Sequence, residues 1–307
     1  MLLFLYLGLY FSASFIGSCS VKKNSATLGG GKTDRPVFVI ITAAIACLFF
    51  AAINGFAIRF NAVTLLYACG FSAVVLSSLV LTLAIYRYAS IPAVSVIRST
   101  FNLLTTSLLG SVLFSEKIAA NTWVRIALLI VASILIYFSR TGVKRKSEPN
   151  AAKDAGRGNR AIFILLMALL VLSACFTTLI TKSFSAREDV TDANSYYFAT
   201  NLIMLLAGTV WLLAVGKGDL HRVGAGLKNL KIRDYAVIVL QTVSSNVVSL
   251  VTVPLVAMLD VASFSAYSSA ISVVAATVAS ICFREKQNVF SLSAIVIAIV
   301  SFLIGAL

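Results

Sequence analysis

The sequence predicts an all-α integral membrane protein with ten transmembrane helices arranged as two inverted five-helix repeats. Three observations lead there. Of the 307 residues, 60% are apolar and 12% are charged, whereas a soluble domain is roughly 45–50% apolar and about 25% charged. Ten apolar runs follow one another, each near the roughly 20 residues a helix needs to cross a hydrocarbon core of about 30 Å. The residues closing the fourth run return in the ninth at a constant offset of 169 positions: Glu116-Lys117 as Glu285-Lys286, Ser99 as Ser268, Ala93 as Ala262. An echo at so long a period is an internal repeat.

The runs cover about 1–20, 36–58, 62–86, 91–115, 121–139, 161–181, 194–215, 234–257, 261–283 and 288–307. Lipid leaves no water for unpaired backbone groups, so continuous runs of this length are helices. The first run lacks the basic start of a signal peptide. Its Ser12-Ala13-Ser14-Phe15 is echoed by Ser173-Ala174-Cys175-Phe176, which makes it the partner of the sixth run and a retained helix. The longest polar stretch divides the chain into a first repeat, 1–140, a basic central linker, 141–160, and a second repeat, 161–307. Five spans per half is an odd number, so the halves are inverted relative to one another. Such repeats in a membrane chain suggest a transporter.

A net charge of +14 would point to nucleic acid in a soluble protein. Here the basic residues lie between apolar runs, where they set topology, and no nucleic-acid partner is expected. Nineteen lysines and arginines fall in connections after odd-numbered runs and five on the opposite side. The positive-inside rule then places the central linker in the cytoplasm and both termini outside, in a multi-pass protein of the inner or plasma membrane.

No cofactor or metal is expected. The five cysteines, Cys19, Cys47, Cys69, Cys175 and Cys282, lie in or beside apolar runs without paired spacing, and His221 is the single histidine. A metal site or a nucleophile with its base would need more. Gly29-Gly30-Gly31-Lys32-Thr33 resembles the end of a phosphate-binding loop, but Ala26 stands where that motif needs glycine, and no strand precedes it.

The candidate substrate-binding residues are Arg98, Ser99 and Asn102 in the fourth run, Gln241 and Asn246 in the eighth, and Tyr267 and Ser268 in the ninth. An arginine at the centre of a membrane helix costs about 2.5–3.5 kcal/mol on insertion scales, so it faces a wet cavity or a partner. Its planar fork of donors suits a carboxylate or phosphate. Asn102 follows one turn later on the same face. The working arrangement has Arg98 holding an anionic group, Tyr267 covering it from the other half, and Gln241 and Asn246 orienting the rest. Any one of these amides has a plainer alternative, a hydrogen bond from helix to helix. Pro254 should kink the eighth run, and Glu116 and Glu285 read as interfacial anchors.

The fourth run of each half closes in a similar way: Leu113-Phe114-Ser115-Glu116-Lys117 before Val124 to Ile136, and Cys282-Phe283-Arg284-Glu285-Lys286 before Leu292 to Ile304. With ten spans, this pattern resembles the EamA-like family of the drug/metabolite transporter superfamily, over essentially the whole chain. The resemblance implies secondary transport by alternating access, a cavity lined by helices one, three, four, six, eight and nine, no catalytic centre and no ATP site. It also implies cytoplasmic termini, against the charge count. Arg98 belongs to no general signature of the family. The expected function is a secondary transporter for a small polar organic metabolite, amino acid-like or otherwise anionic or zwitterionic. Its partners are that solute, the lipid bilayer and a coupling ion left open, in a monomer or homodimer. The rivals are a multidrug exporter for lipophilic cations, which needs a membrane-embedded acid that no mid-span position supplies, and a lipid flippase or membrane scaffold.

Overall fold

A computed structural model of the chain describes residues 2–27, 34–85, 91–115, 120–142, 158–216, 232–259, 261–282 and 289–306. Among them are ten helices and no strand: α1 (Leu2–Thr27), α2 (Asp34–Ile53), α3 (Ala62–Ile85), α4 (Ile91–Phe114), α5 (Ala120–Gly142), α6 (Gly158–Ser185), α7 (Ala193–Gly216), α8 (Ile232–Met258), α9 (Val261–Cys282) and α10 (Val289–Ala306). Seven of these, α1–α4 and α6–α8, are long and apolar enough to cross a membrane. The described parts of α5, α9 and α10 carry shorter apolar stretches, Ala120–Leu135, Ser263–Ala279 and Leu292–Ser301. The chain is an all-α, multi-pass membrane protein. Glu116, Lys117, Glu285, Lys286, His221, residues 29–33 and most of the central linker lie outside the described residues.

The helices pack in defined pairs. α1 runs against α8, α3 against α6, α2 against α7, α4 against α9 and α5 against α10. Smaller contacts join α1 to α9 and α4 to α6. Small residues allow such approaches where lipid supplies no hydrophobic drive between helices. Gly208 is the sharpest case: a Cβ there would lie 3.0 Å from Val39 Cγ1 and 3.1 Å from Ile40 Cγ1. Gly208→Leu should therefore push α7 off α2 and destabilise the bundle by about 1–3 kcal/mol, the usual range for overpacking. Thermal unfolding in detergent reads this directly, and an unchanged midpoint would show that the contact has room to give.

One end of the bundle is tied by polar contacts between connections. α2 stops in a Schellman turn, with Phe56 N–H donating to Ala51 O and Gly55 N–H to Ala52 O. Gly55 takes the left-handed conformation this requires, at φ 58°. Asn61 and Asp192 cap α3 and α7, accepting from the N–H groups of Thr64 (2.6 Å) and Ser195 (2.8 Å). The α2–α3 and α6–α7 connections then meet, as Asn61 Nδ2 donates to Asp189 O and Thr191 N–H to Thr64 Oγ1. Lys182 Nζ reaches the carbonyls of Val256 and Leu259 at the close of α8. Arg187 grips Asp189 through two 2.7 Å hydrogen bonds on the surface, which holds the Asp189 carboxyl below its ordinary range.

Beneath this layer sits an aromatic cluster of Phe50, Phe71, Phe184, Tyr196 and Tyr197. Phe184 stacks on Tyr196 at 4.2 Å and Phe50 on Tyr197 at 5.2 Å between ring centroids. Offset stacks of this kind add to packing without any help from hydration.

Candidate functional site

The aromatic cluster floors a cavity of about 490 Å³, within the ordinary range for a small-molecule site. Eight helices line it. α5 and α10 contribute none of its described lining, while α2 enters through Thr42 and Ala46 and α7 through Tyr197, Thr200, Asn201 and Met204. The resemblance implied six lining helices, so α2 and α7 are additions. Phe71, Tyr197 and Thr181, toward the floor, are buried. Ser18, Val21 and Thr82, toward the opposite end, are partly exposed.

Helical periodicity explains which side chains arrive. On α4 the stripe Val94, Arg98, Asn102 faces the cavity, with Ser95 and Ser99 beside it. This is the i, i+4, i+8 face of one helix. Arg98 is partly exposed and is the only charged residue among the described residues of the lining. The Tyr10 hydroxyl lies beside both Arg98 and Ser268. Three lining atoms are buried without a hydrogen-bond partner: Asn102 Oδ1, Asn246 Nδ2 and Thr200 Oγ1. Buried polar atoms in that state ask for a ligand or an ordered water.

Six of the seven residues singled out in the sequence, namely Arg98, Ser99, Asn102, Gln241, Asn246 and Ser268, line this cavity. Two of them also serve as struts. Ser99 Oγ donates to Ser269 O while Ser269 Oγ donates to Ser99 O, both at 3.2 Å, which clasps α4 to α9. Gln241 Oε1 accepts from Asn24 Nδ2 and so joins α8 to α1. α1 runs past the expected end of its span to Thr27, and that extension of about two turns brings Asn24 into the bundle.

Tyr267 is the exception, and the covering role expected of it does not match its position. It is absent from the cavity lining, and its ring lies under the Arg125 guanidinium, 5.3 Å from Cζ to centroid, a cation–π arrangement. The reason is rotational. The cavity stripe of α9 is Phe264, Ser268, Ser272, so Tyr267 points about 100° away from Ser268. The 169-residue offset pairs Arg98 with Tyr267, but the cavity face of α9 is turned by one residue against that of α4.

Sequence reasoning missed the threonine face of α6, Thr177, Thr178 and Thr181, although their i, i+1, i+4 spacing in an apolar run was a usable signal. Arg125, one of the five basic residues counted on the less charged side, is 4% exposed. Asn54, just past the end of α2, hydrogen-bonds to Ala57 O and Ser195 Oγ away from the cavity. The assembled site has one guanidinium, several amides and many hydroxyls, a composition suited to reversible binding of a polar solute. A comparison with protein-family models found no match, and a comparison with curated proteins found none either.

Proposed function

We propose that the chain is a secondary transporter of the EamA-like kind within the drug/metabolite transporter superfamily. It moves a small polar organic metabolite, amino acid-like or otherwise anionic or zwitterionic, by alternating access between two inverted five-helix halves. One observation carries this reading: a central cavity walled by both halves of the chain holds Arg98 as the only charge among its described lining residues.

The pattern of helix pairs supports the repeat. Adding or subtracting five from each helix number turns the α1–α8 pair into α6–α3, and α1–α9 into α6–α4, both of which occur. The pairs α2–α7, α4–α9 and α5–α10 map onto themselves. A twofold axis relating the halves produces this pattern, and an odd span count lays that axis in the membrane plane. With the basic connections inside the cell, the tied aromatic end faces outward and the cavity drains toward the cytoplasm. The exporter of lipophilic cations is disfavoured, since no carboxylate occurs among the described lining residues.

The test is a thermal-shift screen of the detergent-purified protein against carboxylates, phosphates, zwitterions and lipophilic cations, followed by counterflow in proteoliposomes. A ligand at 100 times its Kd stabilises by about 2.7 kcal/mol. Stabilisation and exchange by anionic or zwitterionic solutes are expected. A response confined to lipophilic cations would replace this reading with the exporter.

A further inference from the structure

Of the eighteen serine and threonine side chains that line the cavity among the described residues, twelve donate their hydroxyl proton to a backbone carbonyl. Most bond the carbonyl one turn back on their own helix, as Thr178 does to Ala174 O at 3.2 Å and Thr252 to Val248 O at 2.7 Å. That habit is common where Ser and Thr sit inside helices, but it has a consequence for the wall. A hydroxyl has one proton and two lone pairs. With the proton committed to the backbone, only acceptor capacity is left for whatever fills the cavity. Asn201 repeats the pattern, since its Nδ2 donates to Tyr197 O and leaves Oδ1. Asn102 adds a buried oxygen with no partner at all.

The stronger donors lie on α4 and α8, on the Arg98 guanidinium and on Asn246 Nδ2, which is buried and has no partner, and Thr200 Oγ1 on α7 is one hydroxyl whose proton is not committed. The wall therefore has its main donor pole on α4 and α8, and acceptors over much of the rest. A complementary ligand carries an anionic or strongly accepting group at one end and hydrogen-bond donors along its body. Those donors are hydroxyls better than ammonium groups. A buried cation needs a counter-charge, and no carboxylate occurs among the described residues of the lining.

We infer that the cavity selects hydroxyl-bearing organic anions, either hydroxy acids or phosphate esters of polyols, over zwitterions and over anions without hydroxyls. This rests on the transport reading and narrows it. Carboxylate and phosphate are two sources of the same anionic end.

Three matched pairs test the inference on the full-length protein in detergent: malate against succinate, gluconate against hexanoate, and glycerol phosphate against propyl phosphate. In at least one pair the hydroxylated member is expected to bind about tenfold or more tightly, because a site built to bond a hydroxyl discriminates strongly against its absence. The pair that responds shows which anionic end the site takes. Thr178→Val keeps the shape of the side chain and removes an acceptor, so it should narrow that preference about fivefold. Equal binding within all three pairs, or binding of none of the six, overturns the inference. Exchange in proteoliposomes with serine added to the panel separates the two ways of failing. Arg98-dependent exchange of serine or succinate without preference for hydroxyls discards this substrate class and keeps the transporter. Absence of any Arg98-dependent exchange discards the transporter, and this class with it.

Discussion

Arg98→Ala is expected to abolish solute exchange while leaving a folded, normally inserted protein. The two halves of that expectation have separate physical grounds. Removing an arginine from a membrane helix takes away a cost of about 2.5–3.5 kcal/mol on insertion scales, so insertion of α4 does not suffer. Binding does. A hydrogen bond to a charged group contributes about 1.5–3 kcal/mol, and a guanidinium can offer two in parallel to one carboxylate or phosphate. Losing both lowers affinity by roughly a hundredfold or more, at about 1.4 kcal/mol per factor of ten. Arg98→Lys keeps the charge and loses the fork, so it should fall between wild type and alanine. Exchange rates and ligand-induced thermal shifts, measured on the same preparations, test both halves together. Wild-type exchange by a well-folded alanine variant would remove Arg98 from the site.

The helical membrane architecture was legible in the sequence because lipid imposes a simple rule: runs of about 20 apolar residues become helices. The α4 part of the site was legible for the same reason. A charge and an amide four residues apart, Arg98 and Asn102, must share a face, and the lining contains both. What sequence could not supply was rotation about each helix axis. Tyr267 was placed opposite Arg98 by a repeat offset, yet a turn of one residue sends it to Arg125. Nor does an isolated amide declare its partner. Gln241 proves to be held by Asn24 from 217 residues away, while Asn246 keeps a free Nδ2, and nothing local distinguishes the two. Backbone-bonded hydroxyls are a third case, since only coordinates show which protons are already committed.

The aromatic floor sets up the second large effect, with opposite signs for two substitutions of one residue. Tyr196 is 0% exposed, stacked on Phe184 with 21° between ring planes, and edge-on to Phe71 at 5.5 Å. Tyr196→Ala removes that ring from the centre of the cluster and should cost about 3–5 kcal/mol, the range for emptying a buried aromatic site. Tyr196→Phe should do the reverse. The hydroxyl is buried without a hydrogen-bond partner, and an unsatisfied buried group carries a penalty of about 1–3 kcal/mol. Deleting the oxygen while keeping the ring removes the penalty and raises the thermal midpoint. In an alternating-access cycle the same change has a kinetic consequence. The floor must part for the cavity to open at this end, and parting hydrates the hydroxyl, so Tyr196 as it stands favours opening. Phenylalanine gives up that gain and holds the floor shut, which should slow exchange in the variant that melts latest. Thermal unfolding and counterflow on Tyr196→Phe measure the two quantities side by side. A lower midpoint would mean that the hydroxyl is satisfied in the folded protein. A higher midpoint with undiminished exchange would mean that the floor does not move.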